Sequence, residues 1–180
     1  MISVANLAGQ EFIWEKSREV KRARQIVIDG ESWCSLRRLK MFGSLVGVES
    51  KAGSWTLKRV GFFRTRITIR QADSNQDFGL YTPSFTWCGS AGSVTIEGQR
   101  TYRWGATKSL GREHAFFDAS ETPLLRFRGN PRKCRMTFEA KTEVPDLPLL
   151  AALGYYILLL HEEDSAVAIT AGAAAAASAG

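Results

Sequence analysis

Few side chains in this chain are of the types that carry out chemistry. It has two histidines and three cysteines among 180 residues. His114 stands next to Glu113 and four residues before Asp118, the raw material for an acid–base pair. No nucleophile motif accompanies them, and Gly-x-Ser-x-Gly is absent. A histidine on a strand edge or loop is the simpler reading. Cys134 lies among Arg132, Lys133 and Arg135, whose charge would favour a thiolate. Its parity with Met136 and Phe138 instead puts it on an inner face, as an inert thiol. Cys88-Gly89-Ser90-Ala91-Gly92 is glycine-rich, but no Lys-Ser/Thr follows, so it is not a phosphate-cradling loop. The cysteines and histidines lack metal-ligand spacing. The expectation is a non-enzymatic protein with no catalytic residue, metal or cofactor.

The charged residues say more. Lys plus Arg number 24 and Asp plus Glu 18, a formal net charge of +6. Residues 1–70 hold 14 basic and 6 acidic residues, whereas residues 146–180 hold four acidic and no basic ones. In the basic stretch, Arg64, Arg66 and Arg70 share one face of a strand. Lys58 and Arg59 lie one hairpin arm away, and Arg37, Arg38 and Lys40 lie on an earlier strand. If those strands are neighbours, the outer wall carries a cationic patch that attracts phosphoinositide head groups or anionic bilayers. The competing reading is a solvated face whose arginines pair with acidic residues on adjacent strands. Nucleic acid is a poorer fit, because its binding faces interleave aromatic and basic side chains on one side. Here Ile67 and Ile69 alternate with the arginines. Trp14, Trp33, Trp55, Trp87 and Trp104 are spread through the chain and read as core or rim packing.

The elements that must position these charges are strands. The chain is 44% hydrophobic and 11% aromatic, enough for one real core in a single domain. Ile67 and Ile69, Val94 and Ile96, Tyr102 and Trp104, Leu125 and Phe127, and Cys134, Met136 and Phe138 each alternate with polar residues. Period-two alternation marks strands with one buried and one wet face. Turn signals recur at Asp29-Gly30, Ala52-Gly53, Ser74-Asn75, Gly89 to Gly92, Glu97-Gly98 and Gly129-Asn130-Pro131. The spacing predicts an antiparallel meander of about 12 strands closed into a barrel. Glu15 to Gln25 suits either a helix or a strand and loop. A faint echo links Ser32-Trp33 and Leu36-Arg37-Arg38 with Ser54-Trp55 and Leu57-Lys58-Arg59, one residue being inserted in the first copy.

The C-terminal segment is different. LPLLAALGYYILLL, from Leu147 to Leu160, is followed by His161-Glu162-Glu163-Asp164 and an Ala-rich tail at 171–180, which favours helix by propensity but has no packing partner and is expected to fray or be disordered. As a helix the run spans about 21 Å at ~1.5 Å per residue. A bilayer core needs about 30 Å, so a buried helix is expected rather than an anchor. Asp146 suits the N-cap and Pro148 the first turn, which predicts a helix from 146 to about 164. It is apolar all round and must be enclosed. A barrel of this size is too wide for its own side chains to fill. The economical fold is mainly β: one domain, residues 1–170, with the barrel wrapped around the helix. Gly154 would admit a close wall, and residues 161–164 would mark the helix's exit. With no basic n-region, no Asn-x-Ser/Thr site and widely separated cysteines, a cytoplasmic setting is expected, with peripheral membrane association as an option.

The strand-rich body, Ser54-Trp55-Thr56-Leu57-Lys58-Arg59 leading to Arg64-Thr65-Arg66-Ile67-Thr68-Ile69-Arg70, and the terminal LPLLAALGYYILLL run together resemble the tubby-like superfamily. That is the barrel-around-a-helix fold of tubby C-terminal domains, phospholipid scramblases and LURP-one-related proteins. The pattern is most similar to small LURP-one-like members and covers about residues 11–170. Membership implies tethering to phosphoinositides, as in tubby domains, or lipid movement, as in scramblases. The chain lacks a Cys-rich palmitoylation segment and an acidic EF-hand-type calcium loop, which sets scramblase activity aside. The reading is a barrel that binds anionic phospholipid or phosphoinositide head groups through Arg37, Arg38, Lys40, Lys58, Arg59, Arg64, Arg66 and Arg70. The alternative is a soluble structural or protein-interaction domain with no lipid role.

Overall fold

In the computed structural model the described residues are 4–178, apart from 41–42, 62–64, 75, 85–90, 108–112 and 141–142. Arg64, Asn75, Trp87 and Cys88 fall outside them. The described residues form thirteen strands: β1 (Glu11–Ile13), β2 (Glu15–Lys16), β3 (Ala23–Ile28), β4 (Glu31–Arg38), β5 (Val46–Ser50), β6 (Gly53–Val60), β7 (Arg66–Gln71), β8 (Asp77–Ser84), β9 (Ala91–Ile96), β10 (Arg100–Ala106), β11 (Glu113–Phe117), β12 (Pro123–Arg128) and β13 (Arg135–Phe138). One helix follows, α1 (Leu147–Ser178). Every strand from β3 to β13 pairs antiparallel with its sequence neighbour. β1 pairs with β13 and β2 with β3, so the two sheet ends belong to one continuous segment. Within it, the Trp14 amide donates to Cys134 O at 3.0 Å and the Ser17 amide to Ala23 O at 3.0 Å. The segment thus changes partner between Trp14 and Ser17 and brings the sheet round into a nearly closed barrel, with Glu11–Lys16 serving as one wall. The stretch from Glu15 to Gln25, which suited helix or strand, is strand and turn.

The period-two residues do what alternation requires. Ile67, Ile69, Val94, Ile96, Trp104, Leu125, Phe127, Cys134, Met136 and Phe138 are all buried. The opposite parity carries Arg37, Lys58, Arg66 and Arg70 to the outside. This is the inverse of a lipid-facing barrel, which is apolar outside. Inside lies α1, buried at every position from Leu147 to Ile157. It packs against β4 and β5 from one direction and against β11 and β12 from another. Burial on all sides is what an all-round apolar helix demands. At Gly154 the wall comes so close that a Cβ would sit 2.5 Å from Phe127 Cζ, so only glycine fits without displacing the ring. Trp14 stacks on Tyr155 of α1, with ring centroids 4.5 Å apart. α1 does not stop near residue 164 as expected but continues to Ser178, and its exposed portion begins at His161. No helix among the described residues is long and apolar enough to cross a membrane.

The two ends of the barrel differ. At one, tight turns close the hairpins; Asp29 and Gly30 take φ of 52° and 80°, the left-handed region that the Asp-Gly signal supplies. There α1 begins. Asp146 is buried, and Arg100 Nε lies 2.8 Å from its Oδ2, while Tyr102 donates its hydroxyl to the same oxygen at 2.8 Å. Its backbone C=O accepts the first helical bond, from the Leu150 amide at 2.9 Å. The N-cap position is therefore as expected, but the carboxylate ties the helix to β10 instead of capping amides. At the other, open end, α1 leaves the barrel.

Candidate functional site at the open end

Of the eight basic residues expected on one outer wall, Arg64 lies outside the described residues, and those on strands are divided by parity. Arg37, Lys58, Arg66 and Arg70 face outward. Arg70 Nε lies 2.8 Å from Asp77 Oδ1 on the next strand, the cross-strand pairing of the competing reading. Lys40 is exposed in the turn after β4. Arg38 and Arg59 point inward, because they continue the buried rows Cys34–Leu36 and Trp55–Leu57 to the barrel rim. Arg38 pairs with Glu163, and Arg59 Nη1 lies 2.6 Å from Asp164 Oδ1. Consecutive residues on a strand face opposite ways, so neither Arg37–Arg38 nor Lys58–Arg59 can act as a pair on one face.

The internal echo now has a structural meaning. β4 faces β3 with Val27 opposite Ser32 and Ile26 opposite Cys34, which leaves Trp33 as the extra residue of a bulge. That bulge absorbs the one-residue insertion in the first copy. Trp33 turns inward against Phe138, at a centroid distance of 5.0 Å, and the final arginine of each copy reaches the same turn of α1.

At this rim a cavity of about 270 Å³ opens between β3, β4, the short 3-10 turn Pro131–Lys133 and α1. Four arginines line it: Arg22, Arg24, Arg38 and Arg132. Leu36 and Leu159 give it an apolar floor, and Glu162 is the one carboxylate among the described residues that line it. Each wall has a local cause. Arg24 shares the inward face with Ile26, since Arg24 stands opposite Leu36 and Ile26 opposite Cys34. Arg22 has φ 62°, an unusual value for a side-chain-bearing residue, in the turn that starts β3. Asn130 caps the 3-10 turn, its Oδ1 accepting from the Arg132 and Lys133 amides at 3.1 Å each. Tyr155 donates its hydroxyl to Pro131 O at 3.0 Å and fixes that turn to α1. Burial pushes the Tyr155 phenol up to about 12, against the pull of Arg24. Arg132 Nε lies 3.6 Å from Glu162 Oε1. Arg22 and Arg24 have no carboxylate partner among the described residues. Clustered guanidinium groups above an apolar floor suit an anion with several acceptor oxygens.

Of these four, only Arg38 is among the residues the sequence points to. Arg22 and Arg24 lie in the Glu15–Gln25 stretch, which suits helix or strand equally. Arg132 carries no sequence signal beyond its place near Cys134. The parity signal for Arg24 and Arg38 was present, since each lies two positions from a buried residue of its own strand.

The chemistry-bearing residues are placed away from one another or buried. His114 stacks on Trp104 with centroids 5.3 Å apart, and burial, with help from His161, holds its imidazole below the ordinary value. Asp118 is at the far end of β11, about 13 Å along the strand. Its Oδ1 accepts the Ser120 and Thr122 amides in the turn there. Burial pushes the Cys134 thiol up to about 12 and the Cys34 thiol also up, the wrong direction for a nucleophile. No group of metal-binding side chains occurs among the described residues. No protein-family model, curated protein or solved structure matches the chain.

Proposed function

We propose that this protein is a non-enzymatic binding barrel whose open end takes the anionic head group of a phospholipid. The observation that carries this reading is the cavity lined by Arg22, Arg24, Arg38 and Arg132, two of which have no carboxylate partner among the described residues. A low-charge floor and a rim of guanidinium groups match a phosphate on an apolar stem. The outward Arg37, Lys58 and Arg66 add a diffuse attraction to an anionic surface, worth about 1 kcal/mol per basic residue near the surface. The tubby-like resemblance points to the same ligand class. The test is co-sedimentation with phosphatidylcholine vesicles with and without acidic lipid. Binding is expected to rise with acidic lipid, fall with salt and drop in an Arg22→Ala, Arg24→Ala variant. Binding indifferent to acidic lipid and to salt removes the proposal.

A second reading, a protein-interaction domain with no lipid role, is favoured by the protruding part of α1, where Val167 and Ile169 are exposed. A reproducible protein partner that is lost on truncating after Asp164, together with null vesicle binding, supports it.

A further inference from the structure

The open-end cavity already holds anions of the protein's own. Glu162 lines it and faces Arg132. Glu163, the next residue, is held by Arg38, another lining residue, and Asp164 by Arg59 just beyond. One helical turn therefore places three carboxylates against three rim arginines, while Arg22 and Arg24 stay without such partners. Building on the head-group reading above, we infer that the His161–Asp164 turn is a resident pseudo-ligand: a phosphomonoester enters by taking Arg38 and Arg132 from Glu163 and Glu162, and its binding releases that turn of α1.

The exchange is physically cheap. The carboxylate side chains of these pairs are 41% to 56% exposed, and solvated ion pairs contribute little. A phosphate presents its oxygens to a guanidinium fork as a carboxylate does, so each lost contact has a replacement. Charge sets the ligand class. The entering group takes the place of two carboxylates and meets Arg22 and Arg24 besides, so the more negative charge it carries the better it competes. A monoester carries a charge of about −1.5 to −2 near neutral pH and has three free oxygens, whereas a diester carries one charge. With the dianion in place, Glu162 and Glu163 face like charge and are driven outward. Residues 161–170 are mostly exposed, so the turn has solvent to move into. Leu147–Ile157 stays enclosed, and the barrel is not disturbed.

The test uses the full chain, a Glu162→Gln, Glu163→Gln variant and an Arg22→Ala, Arg24→Ala variant. The probes are glycerol 3-phosphate, followed by calorimetry, and vesicles carrying either phosphatidic acid (a monoester) or phosphatidylglycerol (a diester). The Gln variant is expected to bind the monoester probes about tenfold more tightly, a change of ~1.4 kcal/mol. The Ala variant is expected to lose at least about tenfold. Amide exchange over residues 161–164 is expected to speed up on saturation with glycerol 3-phosphate. Binding of phosphatidic acid vesicles alone assigns the monoester to a lipid, and binding of glycerol 3-phosphate as well assigns it to the phosphate group itself; both support the inference. A Gln variant that binds no more tightly, beside an Ala variant that binds less, overturns the resident-anion inference and leaves head-group binding standing. Equal binding of the two acidic lipids overturns the monoester assignment. Absence of binding by both the parent and the Gln variant overturns this inference and the head-group reading together.

Discussion

At one end of the barrel Arg100 and Tyr102 hold Asp146, whose side chain is only 6% exposed. At the other, Arg38, Arg59 and Arg132 hold Glu163, Asp164 and Glu162, and those carboxylate side chains are 41% to 56% exposed. The chemical groups are the same, but burial separates their roles. A desolvated carboxylate deprived of its partners has no water to turn to, so the closed end is structural. A solvated pair exchanges partners at little cost, so the open end can trade its own carboxylates for a ligand. Between the two ends runs one helix, enclosed at its start and free after Leu160.

The largest effect tests the enclosure common to both ends. Leu153→Asp puts an unpaired charge at a fully buried position, with a cost of several kcal/mol against a total stability of about 5–15 kcal/mol. The variant is expected to be unfolded by far-UV circular dichroism; a folded, merely relocated protein would break the account of α1 as the barrel's filling. Next comes the closed end. Replacing both partners, Arg100→Ala with Tyr102→Phe, strands the buried Asp146 carboxylate and is expected to cost about 3 kcal/mol in chemical denaturation. A cost near zero would erase the distinction between the ends. At the open end, Arg38→Ala and Arg59→Ala are each expected to cost less than about 1 kcal/mol in the same measurement.

The smallest effect is a pH dependence confined to the open end. Burial holds His114 below the ordinary 6.5, aided by His161. At the edge of the exposed portion of α1, partial desolvation by the barrel rim also holds His161 down, opposed by Asp164 and aided by Arg59. The folded chain therefore takes up protons less readily than the unfolded one. Stability is complete above 6.5 and declines as the pH falls through that value toward the folded-state values. Thermal midpoints measured from about pH 7.5 to about pH 5.5 are expected to fall, and to fall less in His114→Phe, which keeps an aromatic ring on Trp104. A slope unchanged by that substitution would place the titration elsewhere.

Much of the fold was legible because its signals are local. Ile67, Ile69, Leu125 and Phe127 announce their faces through their immediate neighbours, and Asp29-Gly30 announces its turn. The candidate site was less legible. Grouping Arg37 with Arg38, and Lys58 with Arg59, treated closeness in sequence as closeness in space, which the pleat of a strand forbids. Arg22 and Arg132 carry no periodic signal, since each sits in a turn, and they meet only because β3 and the 3-10 turn before β13 flank the segment that closes the barrel.

The sequence alone determined which residues turn inward and that a helix apolar on every side must be surrounded, because alternation and all-round hydrophobicity act over a few neighbouring residues. The tertiary structure decided which charges meet. Arg38 finds Glu163 across 125 residues of sequence and Arg59 finds Asp164 across 105. Such pairings depend on where the barrel's circumference and the helix's emerging turn coincide, and that is a property of the closed sheet rather than of any segment within it.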